Sequence, residues 1–152
     1  MARHVPSLSV PDARKLVRDA GLRGTSCRIA VLQFLAEKTS PVTHADIAEQ
    51  LVPAGFDKST VYRCLIEMSD AGLLGRFDLG DHVWRFELKP IESPAAAYHP
   101  HFMCIDCGKV KCLPNVDIFI GKTQIGDSKT KKTAGVGAIT EVLLKGHCIE
   151  CQ

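Results

Sequence analysis

Two cysteine pairs carry the plainest chemistry in this chain: Cys104 and Cys107 in CIDCGKV, and Cys148 and Cys151 in GHCIEC close to the C-terminus. A two-residue spacer lets one tight turn present both sulfurs to a single ion, and two such turns supply the four thiolates of a tetrahedral zinc site with Zn–S bonds near ~2.3 Å. Gly108 suits the first turn, since glycine tolerates φ > 0 beside a metal. The pairs are far apart in sequence, so a zinc held by all four would staple the two ends of a domain rather than form a compact finger. The plain alternative is four free or disulfide-bonded thiols. Seven cysteines and an N-terminus without the apolar stretch of a secretory leader favour a reducing compartment and metal ligation.

A second constellation is Ser59-Thr60-Val61-Tyr62-Arg63. If these residues open a recognition helix, they are the ones that meet base edges in a major groove. Tyr62 can pack on a thymine methyl and reach a base or phosphate with its hydroxyl; Arg63 can bond guanine bidentately or clamp a phosphate. Upstream, Arg14, Lys15, Arg18, Arg23 and Arg28 stand against the single acid Asp19, a basic patch that either steers toward phosphates or is a solvated helix face. The net charge of +2 discriminates little.

The elements that must position these residues follow from local signals. Ser9 caps a helix running toward Gly21. Thr25 or Ser26 caps a second, with Ile29, Leu32, Leu35 and Ala36 at helical spacing. Thr43 with Asp46 reads as a capping box for a third helix, ended by Pro53 and Gly55. Asp57 caps a fourth over about 58–71, with Val61, Leu65 and Met68 inward and Gly72 as its stop. The period then changes to strands at 74–78 and 83–88 around Leu79-Gly80-Asp81-His82. Helix, turn, helix and β-hairpin in that order is a winged helix-turn-helix. Residues 89–100 (KPIESPAAAYHP) read as a linker, and the rest is β-flavoured, with candidate strands at 102–103, 110–113, 116–120 and 139–144; 121–137 carries no assignable pattern. The expected fold class is α+β, divided as a winged-helix DNA-binding domain (1–89), a hinge linker (90–100) and a dimerisation and metal-binding domain (101–152). The last is short enough to need zinc, dimerisation or both.

The 152 residues, 45% hydrophobic and 24% charged, describe an ordinary globular composition. No apolar run nears the roughly 18 residues of a membrane span, so the expected compartment is the cytoplasm, with no membrane partner. No nucleophile–base pair or phosphate loop accompanies the ligands, so no enzyme is expected.

The chain resembles the ferric uptake regulator (Fur) superfamily of metal-responsive transcriptional regulators. The resemblance rests on GLRGTSCRIAVLQFL, STVYRCLIEMSDAGLLGRFDLGDHVWRFEL, HPHFMCIDCGKV and GHCIEC, in family order. It implies a homodimer, each subunit joining an N-terminal winged helix-turn-helix domain to a small α/β dimerisation domain with a four-cysteine zinc site, and binding double-stranded DNA at a palindromic AT-rich operator. By that resemblance Tyr62 and Arg63 face the operator and Arg23 enters the minor groove, with Ser59 and Thr60 placed beside them by their position at the start of the recognition helix. Cys104, Cys107, Cys148 and Cys151 hold one structural Zn2+ per subunit. His99, His101 and Glu87 match a second, regulatory divalent metal site at the hinge, where Zn2+ or Fe2+ (with Mn2+ as a further candidate) would act as corepressor of metal-uptake genes.

Three departures from the pattern bear on that second site. Pro41 stands where many members have a histidine, with His44 nearby as either a substitute ligand or a surface residue. Cys112 stands where a carboxylate is usual; as a ligand it would shift preference from Fe(II) toward Zn(II), and otherwise it is a small packed residue. Tyr98, Pro100 and Thr140 replace the ligands of a further site, which is expected to be absent. Asp81 and His82 are weak candidates. A peroxide- or redox-sensing regulator, with Cys27 and Cys64 as a thiol switch, is the alternative within the family. A zinc-binding interaction module or a metal enzyme without DNA binding, built on His99, His101 and Cys112, is the alternative outside it.

Overall fold

Each helix of the first half begins where its capping chemistry begins. A computed structural model describes residues 7–89, 99–114, 116–120, 123–125 and 141–152. Helix α1 spans Val10–Asp19 behind Ser9, whose hydroxyl accepts from the Asp12 N–H at 3.2 Å. Helix α2 spans Ser26–Ala36 with Thr25 as its cap. Helix α3, His44–Leu51, has the full capping box: Thr43 Oγ1 accepts from the Asp46 N–H, and Asp46 Oδ2 accepts from the Thr43 N–H at 2.8 Å. Helix α4, Lys58–Asp70, starts behind Asp57 and ends before Gly72, which takes φ 81.

The helices converge because their apolar stripes face one cluster, joined by Ala13 and Val17 of α1, Leu32 and Leu35 of α2, Ile47 and Leu51 of α3, and Val61, Leu65 and Met68 of α4. The stripe read on α4 is wholly buried at all three positions. Helix α2 is more than one-sided: Cys27 and Val31 are buried as well as Ile29, Leu32, Leu35 and Ala36, as expected of a helix enclosed by neighbours.

A three-stranded antiparallel sheet closes this unit. Strands β2 (Leu74–Asp78) and β3 (Trp84–Leu88) form the wing, one residue shorter at Val83 than the alternation suggests. Asp78 holds the tip by accepting the backbone N–H groups of Gly80, Asp81 and His82 at 2.8, 3.2 and 3.1 Å. A two-residue strand β1 (Val42–Thr43) pairs with β3 on its other side. It is too short to show in a sequence pattern.

The chain divides into two compact units, Met1–Lys89 and Pro90–Gln152. In the second, strands β4 (His101–Cys104), β5 (Val110–Cys112) and β8 (Leu143–Gly146) make a mixed sheet in the order β5-β4-β8, with β4/β5 antiparallel and β4/β8 parallel. Strands β6 (Ile118–Ile120) and β7 (Thr123–Ile125) form an antiparallel pair. The final strand thus ends beyond the expected 139–144, because its parallel register with β4 continues through Gly146 opposite Cys104. At Gly146 a Cβ would come within 3.2 Å of the Phe102 ring, which would have to shift by a few tenths of an ångström to admit it. Strand β7 lies inside the stretch that carried no assignable pattern. Most of the linker, together with Tyr98, Ile139 and Thr140, lies outside the described residues. The architecture is α+β, a winged helix-turn-helix unit followed by a small unit whose described elements are strands.

Candidate metal centres and nucleic-acid interface

The parallel pairing of β4 and β8 carries the two cysteine pairs to one place. The turn after β4 is closed by Gly108 N–H donating to the Cys104 carbonyl at 3.0 Å, with Gly108 at φ 69, the left-handed conformation its position demands. The second turn is closed by Cys151 N–H donating to the Cys148 carbonyl at 2.9 Å. The four Sγ atoms lie within 4.8 Å of one another. Cys107 Sγ and Cys148 Sγ are 3.8 Å apart, the edge of a tetrahedron with bonds of about 2.3 Å. The residues therefore fit a four-thiolate zinc ion with no open position.

The backbone of the two turns favours a thiolate at Cys104. Backbone N–H groups of Cys107 and Cys148 point at Cys104 Sγ, the latter at 3.3 Å, and hold its pKa down to about 6. Cys151 is pushed upward by its hydrogen bonds to the Cys148 and Cys107 sulfurs. Two ion pairs tie one turn to the other: His147 Nδ1 to Asp106 Oδ2 at 2.5 Å, and Lys109 to Glu150. Neither was legible in the sequence, since each joins residues far apart in the chain.

The second ligand group in this unit follows from strand geometry. His99 and His101 are two apart in extended chain, so they share a face. His101 and Cys112 are direct cross-strand partners in the β4/β5 register, which puts their side chains on one side. The ligand atoms of His99, His101 and Cys112 all lie within 4.8 Å of one another, and the two imidazole centroids are 4.7 Å apart. His101 is buried, His99 and Cys112 half-buried. Two imidazoles and a thiolate at that spacing fit a borderline transition metal.

Glu87 lies on β3 of the first unit, opposite Gly75, whose missing Cβ leaves room for the Glu87 side chain. His44 has a different setting from a ligand: its Nε2 is 3.1 Å from the Lys58 carbonyl, and its ring meets Tyr62 edge-on at 5.3 Å. Pro41 is buried and offers no donor. Asp81 is gripped bidentately by Arg85 at 2.9 and 2.7 Å, which lowers its pKa to about 2, while His82 stands exposed.

The DNA-reading candidates cluster at the start of α4. Asp57 accepts the Ser59 and Thr60 N–H groups at 2.9 and 3.1 Å. The Ser59 hydroxyl also donates to it, the first of the hydrogen bonds that hold the Asp57 carboxyl below its ordinary range. Asp57 is thus the cap, and Ser59, exposed in the first turn, donates its hydroxyl proton to that carboxylate. Tyr62, 42% exposed, and Arg63 project outward. Of the basic patch, Arg14, Lys15, Arg18 and Arg23 are exposed, but Arg28 is drawn inward onto Glu67 of α4. Cys27 and Cys64 are buried, and burial followed by the hydrogen bond between them pushes the Cys64 thiol up to about 12.

Comparison with known proteins agrees with this arrangement. The profile of the ferric uptake regulator family matches residues 19–135. The ferric uptake regulation protein of Shigella flexneri is 33% identical over 143 residues, covering 91% of this chain and 90% of that one. Among solved structures, the ferric uptake regulator from Pseudomonas aeruginosa with manganese aligns with TM-score 0.60 at 24% identity over 90% of this chain and 98% of that one. A zinc uptake regulator complexed with zinc and DNA aligns with TM-score 0.55 at 18% identity, over 93% and 91%. At those identities the two structures speak to the fold alone. The extent of the profile match and of the Shigella relative places the chain in the ferric uptake regulator family, whose members are dimeric, metal-dependent, DNA-binding transcriptional repressors rather than enzymes.

Proposed function

We propose that this chain represses transcription from a palindromic AT-rich operator as a cytoplasmic homodimer, with a regulatory divalent metal as its corepressor. The domains are taken as 1–89 for DNA binding, 90–100 as hinge and 101–152 for dimerisation and metal binding. Cys104, Cys107, Cys148 and Cys151 would hold the structural zinc. Arg23, Ser59, Thr60, Tyr62 and Arg63 would meet the operator, the last four from the helix that starts at the Asp57 cap. No described helix is long and apolar enough to cross a membrane.

The observation that carries the regulatory site is the convergence of His99, His101 and Cys112 within 4.8 Å. A carboxylate from Glu87 at the end of the wing would complete a four-ligand set. Bound there, a divalent cation would supply bonds that join ligands from both sides of the linker. The residues' part is to present one carboxylate from the wing and three donors from the β4/β5 face, so that occupancy of the site sets the spacing of the two recognition helices in the dimer. Moving such an equilibrium from 1:99 to 99:1 takes about 5.5 kcal/mol of differential binding, within reach of four protein ligands. The thiolate of Cys112 leans the preference toward Zn(II) over Fe(II) or Mn(II). A thiol switch at Cys27 and Cys64 is disfavoured by the burial that keeps Cys64 protonated.

The test is operator binding by the His99→Ala/His101→Ala double variant, titrated with Zn(II), Fe(II) and Mn(II) and with chelator. The expected result is loss of metal-stimulated binding with the structural zinc retained. Metal-dependent binding at wild-type strength would overturn the corepressor assignment.

A further inference from the structure

Among the described basic residues of the α1–α2 region, Arg28 is the one that turns away from solvent. Its side chain is 14% exposed, on the N-terminal turn of α2. One end of the guanidinium, Nη1, donates to the Arg23 carbonyl at 2.7 Å. The other, Nη2, is paired with the Glu67 carboxylate on α4. Arg28 and Glu67 line a groove of about 450 Å³ between these helices, together with Thr60, Arg63 and the two buried thiols. A planar guanidinium can hold a carbonyl and a carboxylate at fixed mutual angles; an ammonium, as a point charge on a flexible stem, cannot.

We propose that Arg28 is a positioning residue for DNA binding: it braces the loop carrying Arg23 against the recognition helix, so that the two DNA-contacting segments keep one fixed separation. This rests on the DNA-reading roles proposed for Arg23, Tyr62 and Arg63. Glu67 is four residues beyond Arg63, one turn along α4, and half exposed. It serves as the anchor on the recognition helix and neutralises the Arg28 charge. Arg28 therefore acts without touching phosphate itself. The brace needs both ends: the carbonyl contact fixes the loop, and the carboxylate contact fixes the helix.

The sign of one substitution separates this role from ordinary electrostatics. An exposed acid beside a DNA-reading face repels phosphates, so its removal alone should tighten binding. The brace requires the opposite. Operator affinity is measured by fluorescence anisotropy on the metal-loaded full chain across a salt series, for wild type, Arg28→Lys, Arg28→Met, Glu67→Ala and the Arg28→Met/Glu67→Ala double variant. Thermal melts identify any variant that does not fold, and Arg28→Lys keeps the charge should Arg28→Met fail. Arg28→Lys and Glu67→Ala should each weaken binding on the order of tenfold, the size of one lost charge-assisted hydrogen bond. The slope of log K against log salt should stay at the wild-type value, and the double variant should bind no more weakly than Arg28→Met.

Tighter or unchanged binding by Glu67→Ala would overturn the brace. So would a slope reduced by about 0.9 in Arg28→Met, the signature of a lost phosphate contact. Wild-type chain that binds no duplex with any metal would remove the DNA-binding reading itself and the brace with it.

Discussion

Stripping the metal from the four-cysteine cluster is expected to unfold the second unit and leave the first folded. Among the described residues of the second unit only His101, Cys104 and Cys148 are buried, so the buried side chains among them are all candidate ligands. Strands β4, β5 and β8 order four, three and four residues. At roughly 1.5 kcal/mol each, fixing them costs on the order of 16 kcal/mol, with little apolar burial to offset it. A structural zinc contributes about 10–16 kcal/mol, close to that cost. The first unit has its own cluster of fifteen buried side chains and needs no metal. The assay is hydrogen exchange read by mass spectrometry on chelator-treated wild type and on Cys148→Ser. Peptides over 101–112 and 143–151 should lose protection while those over α2 and α4 keep it. Fluorescence of Trp84, the single tryptophan, should report an unchanged melt of the wing. Protection that survives at 101–112 in metal-free Cys148→Ser, or loss of both units in one transition, would refute the claim that the metal serves as the core.

Two further outcomes follow from groups whose titration the fold has moved. Cys64, held near 12 by burial and its Cys27 neighbour, remains a protonated thiol at pH 7–8; iodoacetamide should label it slowly in the native protein and quickly in denaturant, and rapid native labelling would contradict its packing. Asp81, lowered from 3.8 to about 2 by Arg85, contributes stability that is fully present above about pH 4 and lost as pH falls through 2. The difference in melting temperature between wild type and Asp81→Asn should accordingly be constant from pH 7 to 4 and shrink below that; a difference that grows on acidification would reverse the sign.

Much of the first unit was legible because its signals are short-range. Ser9, Thr25, Thr43 and Asp57 each cap a helix through a bond spanning two or three residues, so residue identity and spacing suffice. The Val61, Leu65, Met68 stripe is fixed by the helical period alone. Strand β1 was invisible because two residues carry no period, and the end of β8 was misplaced because parallel pairing with β4, not local alternation, sets it. Arg28 reads from sequence as one more member of a basic patch. Its engagement by Glu67 depends on the packing of α2 against α4.

The sequence by itself determined the two Cys-x-x-Cys turns, the helix caps, the order of winged-helix elements and the presence of His99 and His101 on one extended face, since each is written within a few consecutive residues. Only the tertiary structure decided that the two turns meet, that Cys112 stands opposite His101, that His44 packs on Tyr62, and that Arg28 pairs with Glu67. Those outcomes depend on strand register and helix packing between residues distant in the chain, where the free energy of contact is shared among many side chains and no single residue type announces its partner.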